Sequence, residues 1–259
     1  MPGVTTDRVV QVAVSGGVAT ITLDSPANRN ALSRALRAQL RSALEDALAD
    51  DAVRAVTLDH TGRVFCSGMD LAEAAGGSSE EQGVNEFPRL LELIWTSPKP
   101  VVAVVRGPAR AGGVGLVAAC DVVVAASSAS FAFSEVRLGL VPAIISAVVL
   151  PRMTPHVVHR LMLTGEVFDA ATAAAGGLVD VVAGDDEVDA VLAGQLAALT
   201  AGAPVALAET KRLLRARQPD LEFGELLRLS ARFFASEEGQ EGIASFREKR
   251  PARWVPARD

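Results

Sequence analysis

The sequence predicts an α/β fold that ends in an α-helical region, and three patterns carry that expectation. Short runs rich in valine and isoleucine alternate with segments of helical periodicity as far as about residue 182. Beyond Pro204 the periodicity is helical only. Hydrophobic residues make up 49% of the 259 and charged residues 22%, enough apolar material to bury a core and too much for a disordered chain.

Taken in order, residues 9–14 and 18–23 are β-rich runs separated by Ser15-Gly16-Gly17, which reads as a hairpin. After the turn cluster Asp24-Ser25-Pro26, a helix starts near Ser33, with Leu36, Leu40, Ala43, Leu44, Ala47 and Leu48 at helical spacing. A strand is expected over 55–58, a loop over 62–71, and a polar, glycine-rich mobile loop over 75–83. Helix 86–96, the punctuation Pro98-Lys99-Pro100 and strand 101–105 come next. Gly107, Gly112, Gly113 and Gly115 lead into a helix of small residues ending near Cys120, with strands following at 121–125 and 130–133. From Thr154 the pattern turns helical apart from a strand at 178–182, with helices over 187–199, 204–217, 221–236 and 238–248. The chain thus divides into an α/β core over 1–203 and a helical region over 204–259.

Composition excludes several classes. A formal charge of −6 and a pI near 5.2 oppose binding to nucleic acid. Two cysteines, Cys66 and Cys120, make no disulfide scaffold in a chain this long, so a reducing, cytoplasmic setting is expected. The N-terminal residues lack the basic and apolar regions of a signal peptide. The longest apolar stretch, 114–126, is broken by Asp121 and falls short of the roughly 20 residues of a membrane span. A mean hydropathy of +0.28 without such a span points to surface hidden between subunits.

The chemistry-bearing residues narrow the field further. Cys66 and Ser67 precede a glycine, but neither sits in a Gly-x-Ser-x-Gly elbow. His60, His156 and His159 stand in no triad relation to an acid or nucleophile. His156 and His159 are three apart on a helix, but no second ligand cluster joins them, so no metal is expected. Residues 113–118 fit Gly-x-Gly-x-x-Ala with Glu135 about 20 residues on, a spacing that also occurs in dinucleotide-binding folds. Seven residues, Arg106–Gly112, separate that motif from the strand, which leaves an NAD-dependent oxidoreductase a remote alternative. Two glycine-rich turns, Cys66-Ser67-Gly68-Met69-Asp70 and Ala111-Gly112-Gly113, each lie between a strand and a helix. Such turns either serve tight packing or aim backbone N–H groups into a cleft. Converging on one carbonyl oxygen, such donors contribute about 2.7–4 kcal/mol each in the transition state.

Longer motifs decide between those readings. Phe65-Cys66-Ser67-Gly68-Met69-Asp70-Leu71, the run Lys99-Pro100-Val101-Val102-Ala103-Val104-Val105-Arg106-Gly107-Pro108-Ala109, then Gly112-Gly113 and Ala119-Cys120-Asp121 resemble the signature of the crotonase superfamily. So do Arg29-Asn30-Ala31-Leu32, Glu241-Gly242 and Phe246-Arg247-Glu248-Lys249-Arg250-Pro251, and together the matches span nearly the whole chain in family order. The resemblance implies repeated ββα units with a C-terminal helical trimerisation region, assembly as a homotrimer or homohexamer, and action on acyl-CoA thioesters. It implies an oxyanion hole made by the N–H groups of Met69 and Gly112. A coenzyme A tail would pass near Asn30, Ala31 and Leu32 and near Asp70 and Leu71, with Gly68, Gly113, Gly115 and Pro142 also bordering the substrate. Coenzyme A enters as part of the substrate, and no metal or redox cofactor is implied. Lys249 matches a basic position that approaches the coenzyme A phosphates, and reads equally well as a solvated charge.

Two-glutamate hydratases of this superfamily place a water with a pair of carboxylates. Glu135, in Phe133-Ser134-Glu135-Val136-Arg137, matches the second, and Gly115 stands at the first. The run 138–146 lacks the Pro-Gly-x-Gly-Gly segment common in two-glutamate enzymes and is similar to a one-glutamate, methylglutaconyl-CoA hydratase-like subgroup. Glycine at 115 is expected to leave volume near the β carbon for a branched acyl group. Asp70 is expected to stabilise a helix start and Glu73 to be a solvated charge. The expected activity is hydration of an enoyl-CoA. The alternatives are double-bond isomerisation by Glu135 alone, and a catalytically silent acyl-CoA-binding protein.

Overall fold

Two successive glycines turn the chain at its first hairpin. Gly16 and Gly17 have φ of +56° and +77°, the pair of positive angles that a type I′ turn requires. They join β1 (Val10–Ser15) and β2 (Val18–Leu23) antiparallel. The computed structural model describes residues 8–74, 86–216 and 223–256, so the loop expected over 75–83 lies outside the described residues. Helix α1 (Arg34–Ala49) is capped by Ser33, whose hydroxyl accepts from the Leu36 N–H at 3.2 Å. Its apolar stripe of Leu36, Leu40, Ala43, Leu44 and Ala47 is buried.

The main sheet has the order β1-β2-β3-β4-β6-β9, with β3 at Ala55–His60, β4 at Val101–Val105, β6 at Val122–Ala126 and β9 at Val181–Ala183. Every pairing past the hairpin is parallel. Parallel strands are covered on both faces and therefore read as unbroken apolar runs; β4, Val-Val-Ala-Val-Val, is buried throughout. Its alternate residues Val101, Ala103 and Val105 face the large core, into which α1 and α3 (Glu86–Thr96) also pack. Val102 and Val104 join a smaller core with Val191, Leu192, Leu196 and Leu199 of α8 (Val188–Ala201). A second sheet, β5 (Ala109–Arg110), β7 (Ser130–Ala132) and β8 (Phe168–Asp169), pairs in the order β5-β7-β8.

The shorter helices are α2 (Leu71–Ala74), α4 (Gly112–Ala119), α5 (Ala143–Arg152), α6 (Pro155–Thr164) and α7 (Ala170–Ala175). The sequence does not predict α5, because Ala143–Val149 is apolar apart from Ser146 and shows no polar face. In the structure Ile145, Val148 and Val149 are its buried residues, at the i, i+3, i+4 spacing of a helix. α9 (Pro204–Arg215), α10 (Phe223–Phe234) and α11 (Glu237–Glu248) complete the helical region. α9 is tied to the core by Lys211, buried, whose ammonium reaches the carboxylate of Asp121 and the Ser97 hydroxyl at 2.7 Å each and the Ile94 carbonyl at 3.0 Å. Arg54 donates to the carbonyls of Gly202 (2.8 Å) and Trp254 (2.6 Å), anchoring the last described residues beside the first hairpin. Among the described residues no single helix is long and apolar enough to cross a membrane.

Candidate active site

The two glycine-rich turns lie side by side. A methyl group placed on Gly68, which has φ +90°, would meet the Ala111 Cβ at 3.1 Å and the Gly112 nitrogen at 3.6 Å. One placed on Gly113 would meet the Cys66 carbonyl oxygen at 2.6 Å. Only glycine at these two positions lets the backbones approach so closely. Backbone bonds hold them together: Leu32 N–H donates to the Gly68 carbonyl (2.8 Å), Arg110 N–H to the Cys66 carbonyl (2.9 Å) and Ala111 N–H to the Ala132 carbonyl (2.9 Å). Gly112 is the first residue of α4, where N–H groups have no acceptor within the helix. Ala111 holds φ +46° and ψ −117°, a conformation costing an alanine about 1–3 kcal/mol that the surrounding bonds must sustain.

Met69 and Gly112 line one cavity of about 370 Å³ together with Glu135 and Pro142. Its remaining wall is mainly apolar, with Phe87, Leu138, Leu140, Val141, Ile144 and Ile145. Glu135 is the one ionisable side chain lining it among the described residues. It sits in a 3-10 turn, Ser134–Leu138, that follows β7 and is closed by Gly139 at φ +71°. Its Oε2 is buried without a hydrogen-bond partner, and burial pushes the carboxyl above its ordinary range, partly offset by a backbone N–H. A carboxyl group with one unpartnered oxygen and a raised affinity for a proton, set in a cavity wall, suits acid–base work.

The other predicted residues stand behind that wall. Asn30 is fully buried at φ +52°. Its oxygen accepts from the Ser25 N–H (2.7 Å), and its amide donates to the Thr61 (3.0 Å) and Val64 (2.8 Å) carbonyls. The side chain is a knot for its loop and closed to a ligand, and Ala31 and Leu32 are buried as well. A coenzyme A tail passing near these three residues, as the resemblance implies, would meet their backbone groups rather than their side chains. Asp70 accepts from the Ala72 N–H at 3.0 Å, at the start of α2, which Leu71 opens. Glu73 is exposed, as expected of a solvated charge, and accepts from the Arg34 N–H at 2.8 Å, at the first turn of α1. Lys249 is exposed at φ +55°, at the C-terminal cap of α11, and does not line the cavity.

Gly115 is a second correction. It is buried and forms no part of the cavity wall, and the volume expected over it is filled: a methyl group there would meet Ile145 Cγ2 at 2.5 Å and Phe87 at 3.5 Å. Phe87, Ala111 and Ile145 are among the wall residues that sequence reasoning missed. Phe87 is the first buried residue of α3, and its helical spacing marks it as core, which it also is.

Other candidate chemistries do not assemble. Burial pushes the thiols of Cys66 and Cys120 up to about 12, which leaves no thiolate for attack. His60 is buried, and its Nε2 accepts from the Arg106 N–H at 3.2 Å, a bond that only neutral imidazole makes there. His156 and His159 are exposed on α6, and among the described residues no three metal-ligating side chains cluster.

The parallel sheet, the paired turns and the one carboxylate that lines the cavity among the described residues define a class, a crotonase-type α/β enzyme, and known proteins agree. Residues 13–256 match the family Enoyl-CoA hydratase/isomerase. An enoyl-CoA hydratase from Mycobacterium avium, known from its crystal structure, is 42% identical with a TM-score of 0.74, covering 96% of this chain and 99% of its own. One from Shewanella pealeana is 31% identical with a TM-score of 0.87, covering 97% and 100%. The Alternaria alternata enoyl-CoA hydratase ACTT6 is 34% identical over 92% of this chain and 80% of its own. The chain belongs to the enoyl-CoA hydratase/isomerase family, within the crotonase superfamily.

Proposed function

We propose that the enzyme adds water across the 2,3 double bond of an apolar enoyl-CoA with Glu135 as its single acid and base. The observation that carries this is the unpartnered Oε2 of Glu135 in the same cavity as Met69 and Gly112. The N–H groups of those two residues hold the thioester oxygen. The Glu135 carboxylate takes a proton from water as the oxygen attacks C3, and the displaced π electrons pass to the thioester oxygen as an enolate. The enolate then collapses, C2 takes the proton back from Glu135, and the carboxylate is regenerated. Coenzyme A arrives with the substrate, and the reaction calls for no resident cofactor.

The wall bears on the acyl group. It presents no lysine or arginine among the described residues, so a terminal carboxylate such as that of 3-methylglutaconyl-CoA would sit near Glu135 uncompensated. The apolar surroundings of Glu135 favour a second reading, transfer of a proton between C2 and C4, which needs no water. Loss of enoyl-thioester absorbance on crotonyl-CoA, followed in wild type and in Glu135→Gln, tests the assignment. A loss of about 10²–10⁴ in kcat in the variant is expected, with coenzyme A binding kept. Absence of hydration in the wild type with turnover of a 3-enoyl-CoA would move the assignment to isomerisation. The assembly we propose is a homotrimer or homohexamer, because Leu214, Leu227 and Phe246 of α9–α11 are 80%, 72% and 86% exposed on one chain. Sedimentation at native concentration tests it, and a monomer would overturn it.

A further inference from the structure

Gly115 has no conformational reason to be glycine. It lies in the interior of α4 without a positive φ, where glycine weakens a helix relative to alanine. Its reason is steric, and the atom responsible belongs to α5. The Ile145 Cγ2 stands 2.5 Å and its Cβ 3.2 Å from where a Cβ at 115 would sit, with Phe87 Cζ at 3.5 Å. Ile145 is 3% exposed, yet it forms part of the cavity wall while Gly115 does not. It is held in the first turn of α5 by Val148 and Val149, which are buried beside it. A β-branched side chain in a helix is nearly fixed at χ1, so the methyl branch stays over Gly115. Phe87 backs the same wall and closes on Gly112 at 3.3 Å from a Cβ there.

We infer that Ile145 determines acyl selectivity: its branch, set into the hollow over Gly115, restricts the cavity to short, unbranched acyl groups. The inference rests on the acyl-CoA reading of the cavity but not on the reaction performed there. A glycine opposite a carboxylate would by itself admit a branched chain; with isoleucine seated on it, the hollow is gone. A cavity of about 370 Å³ is near the lower end of ligand sites, and the hollow over Gly115 is closed to a methyl branch by Ile145.

Binding of saturated, unreactive thioesters separates the inference from catalysis. Calorimetric affinities for butanoyl-, 3-methylbutanoyl- and octanoyl-CoA are compared in wild type, Ile145→Val and Ile145→Ala. Ile145→Ala is expected to improve the ratios of branched and long ligands to butanoyl-CoA about tenfold, the scale of one methylene in a fitted pocket. Ile145→Val retains the Cγ2 branch and is expected to leave the ratios within about twofold. Thermal midpoints give a second readout should Ile145→Ala fold poorly. Gly115→Ala is expected to lower the midpoint in the wild-type background and to raise it in the Ile145→Ala background. Equal shifts for all three ligands, no binding of any of them to the wild type, or a Gly115→Ala chain as stable as wild type would overturn the inference. Wild type that shows the expected ratios but hydrates no enoyl-CoA supports the pocket assignment while overturning the proposed reaction.

Discussion

Asp121 and Glu135 are both drawn away from water, and their surroundings are opposite. Asp121 accepts from the Val101 N–H at 2.8 Å, from Lys211 at 2.7 Å and from Arg215 at 3.0 Å, and Arg215 in turn lies over the Trp95 ring at 3.4 Å. Glu135 has a buried oxygen with no partner and sits in an apolar wall. A satisfied carboxylate is locked in place and serves to join β4, the start of β6 and α9. An unsatisfied one is costly to the fold and is retained for what it does to a ligand. The contrast separates architecture from chemistry among residues that look alike in the sequence.

One chemical change, carboxylate to amide, breaks the comparison most directly. Asp121→Asn leaves the buried Lys211 ammonium without its counter-charge, and a loss of about 3–5 kcal/mol in unfolding free energy is expected by urea titration. Turnover per folded molecule should stay near wild type. Glu135→Gln should do the reverse, keeping or raising the midpoint at neutral pH while turnover collapses. If both variants lost stability and kept activity, Glu135 would be structural. A smaller effect sharpens the same contrast. Arg215→Met leaves Asp121 its bonds to Lys211 and the Val101 N–H, and so should cost only about 1.5–3 kcal/mol, the scale of one charge-assisted hydrogen bond. A loss as large as that of Asp121→Asn would mean that the arginine, rather than the lysine, compensates the buried carboxylate.

Much of this was legible in the residues, and what was not has physical causes. The hairpin, α1 with its Ser33 cap, α3, β4 and the helices from α8 onward follow from periodicity and turn chemistry that local sequence controls. The two-residue strands β5 and β8 carry no periodic signal and exist only because β7 lies between them. α5 was hidden because a nearly all-apolar run fits a buried helix and a buried strand equally. At the site, Met69, Gly112 and Glu135 were readable from motifs as residues to be brought together, since their placement in one cavity rests on local turns. The bonds that the Asn30 side chain makes within its own loop were not legible, because a motif records that a residue is needed and not what its side chain touches. Ile145 was missed for a different reason: its partnership with Gly115 spans thirty positions and two helices, and only the packed structure brings the two atoms together.

Stability against pH is the subtlest way to tell a paired carboxylate from an unpaired one. Glu241 on α11 is held at about 2, chiefly by its hydrogen bonds with the Arg250 guanidinium at 2.7 and 3.1 Å. Its ionised form is favoured in the folded chain, so its contribution is complete above the unfolded carboxyl value near 4.3 and is lost as pH falls towards 2. Glu135 is shifted upwards by burial, and the sign reverses. Its neutral form is the one the folded chain favours, so its contribution is complete below about 4.3 and is lost as pH rises through the elevated value. Thermal midpoints between pH 3 and 8 therefore distinguish the two. Glu241→Gln should flatten the acid side of the profile, and Glu135→Gln should remove a decline on the rising side while abolishing turnover. The acid limb of kcat/KM should track the same Glu135 ionisation, lying above the range of an exposed glutamate, because only the carboxylate can take a proton from water. A limb at the ordinary glutamate value would mean that the carboxyl group is solvated in the working enzyme, and the contrast with Asp121 would then vanish.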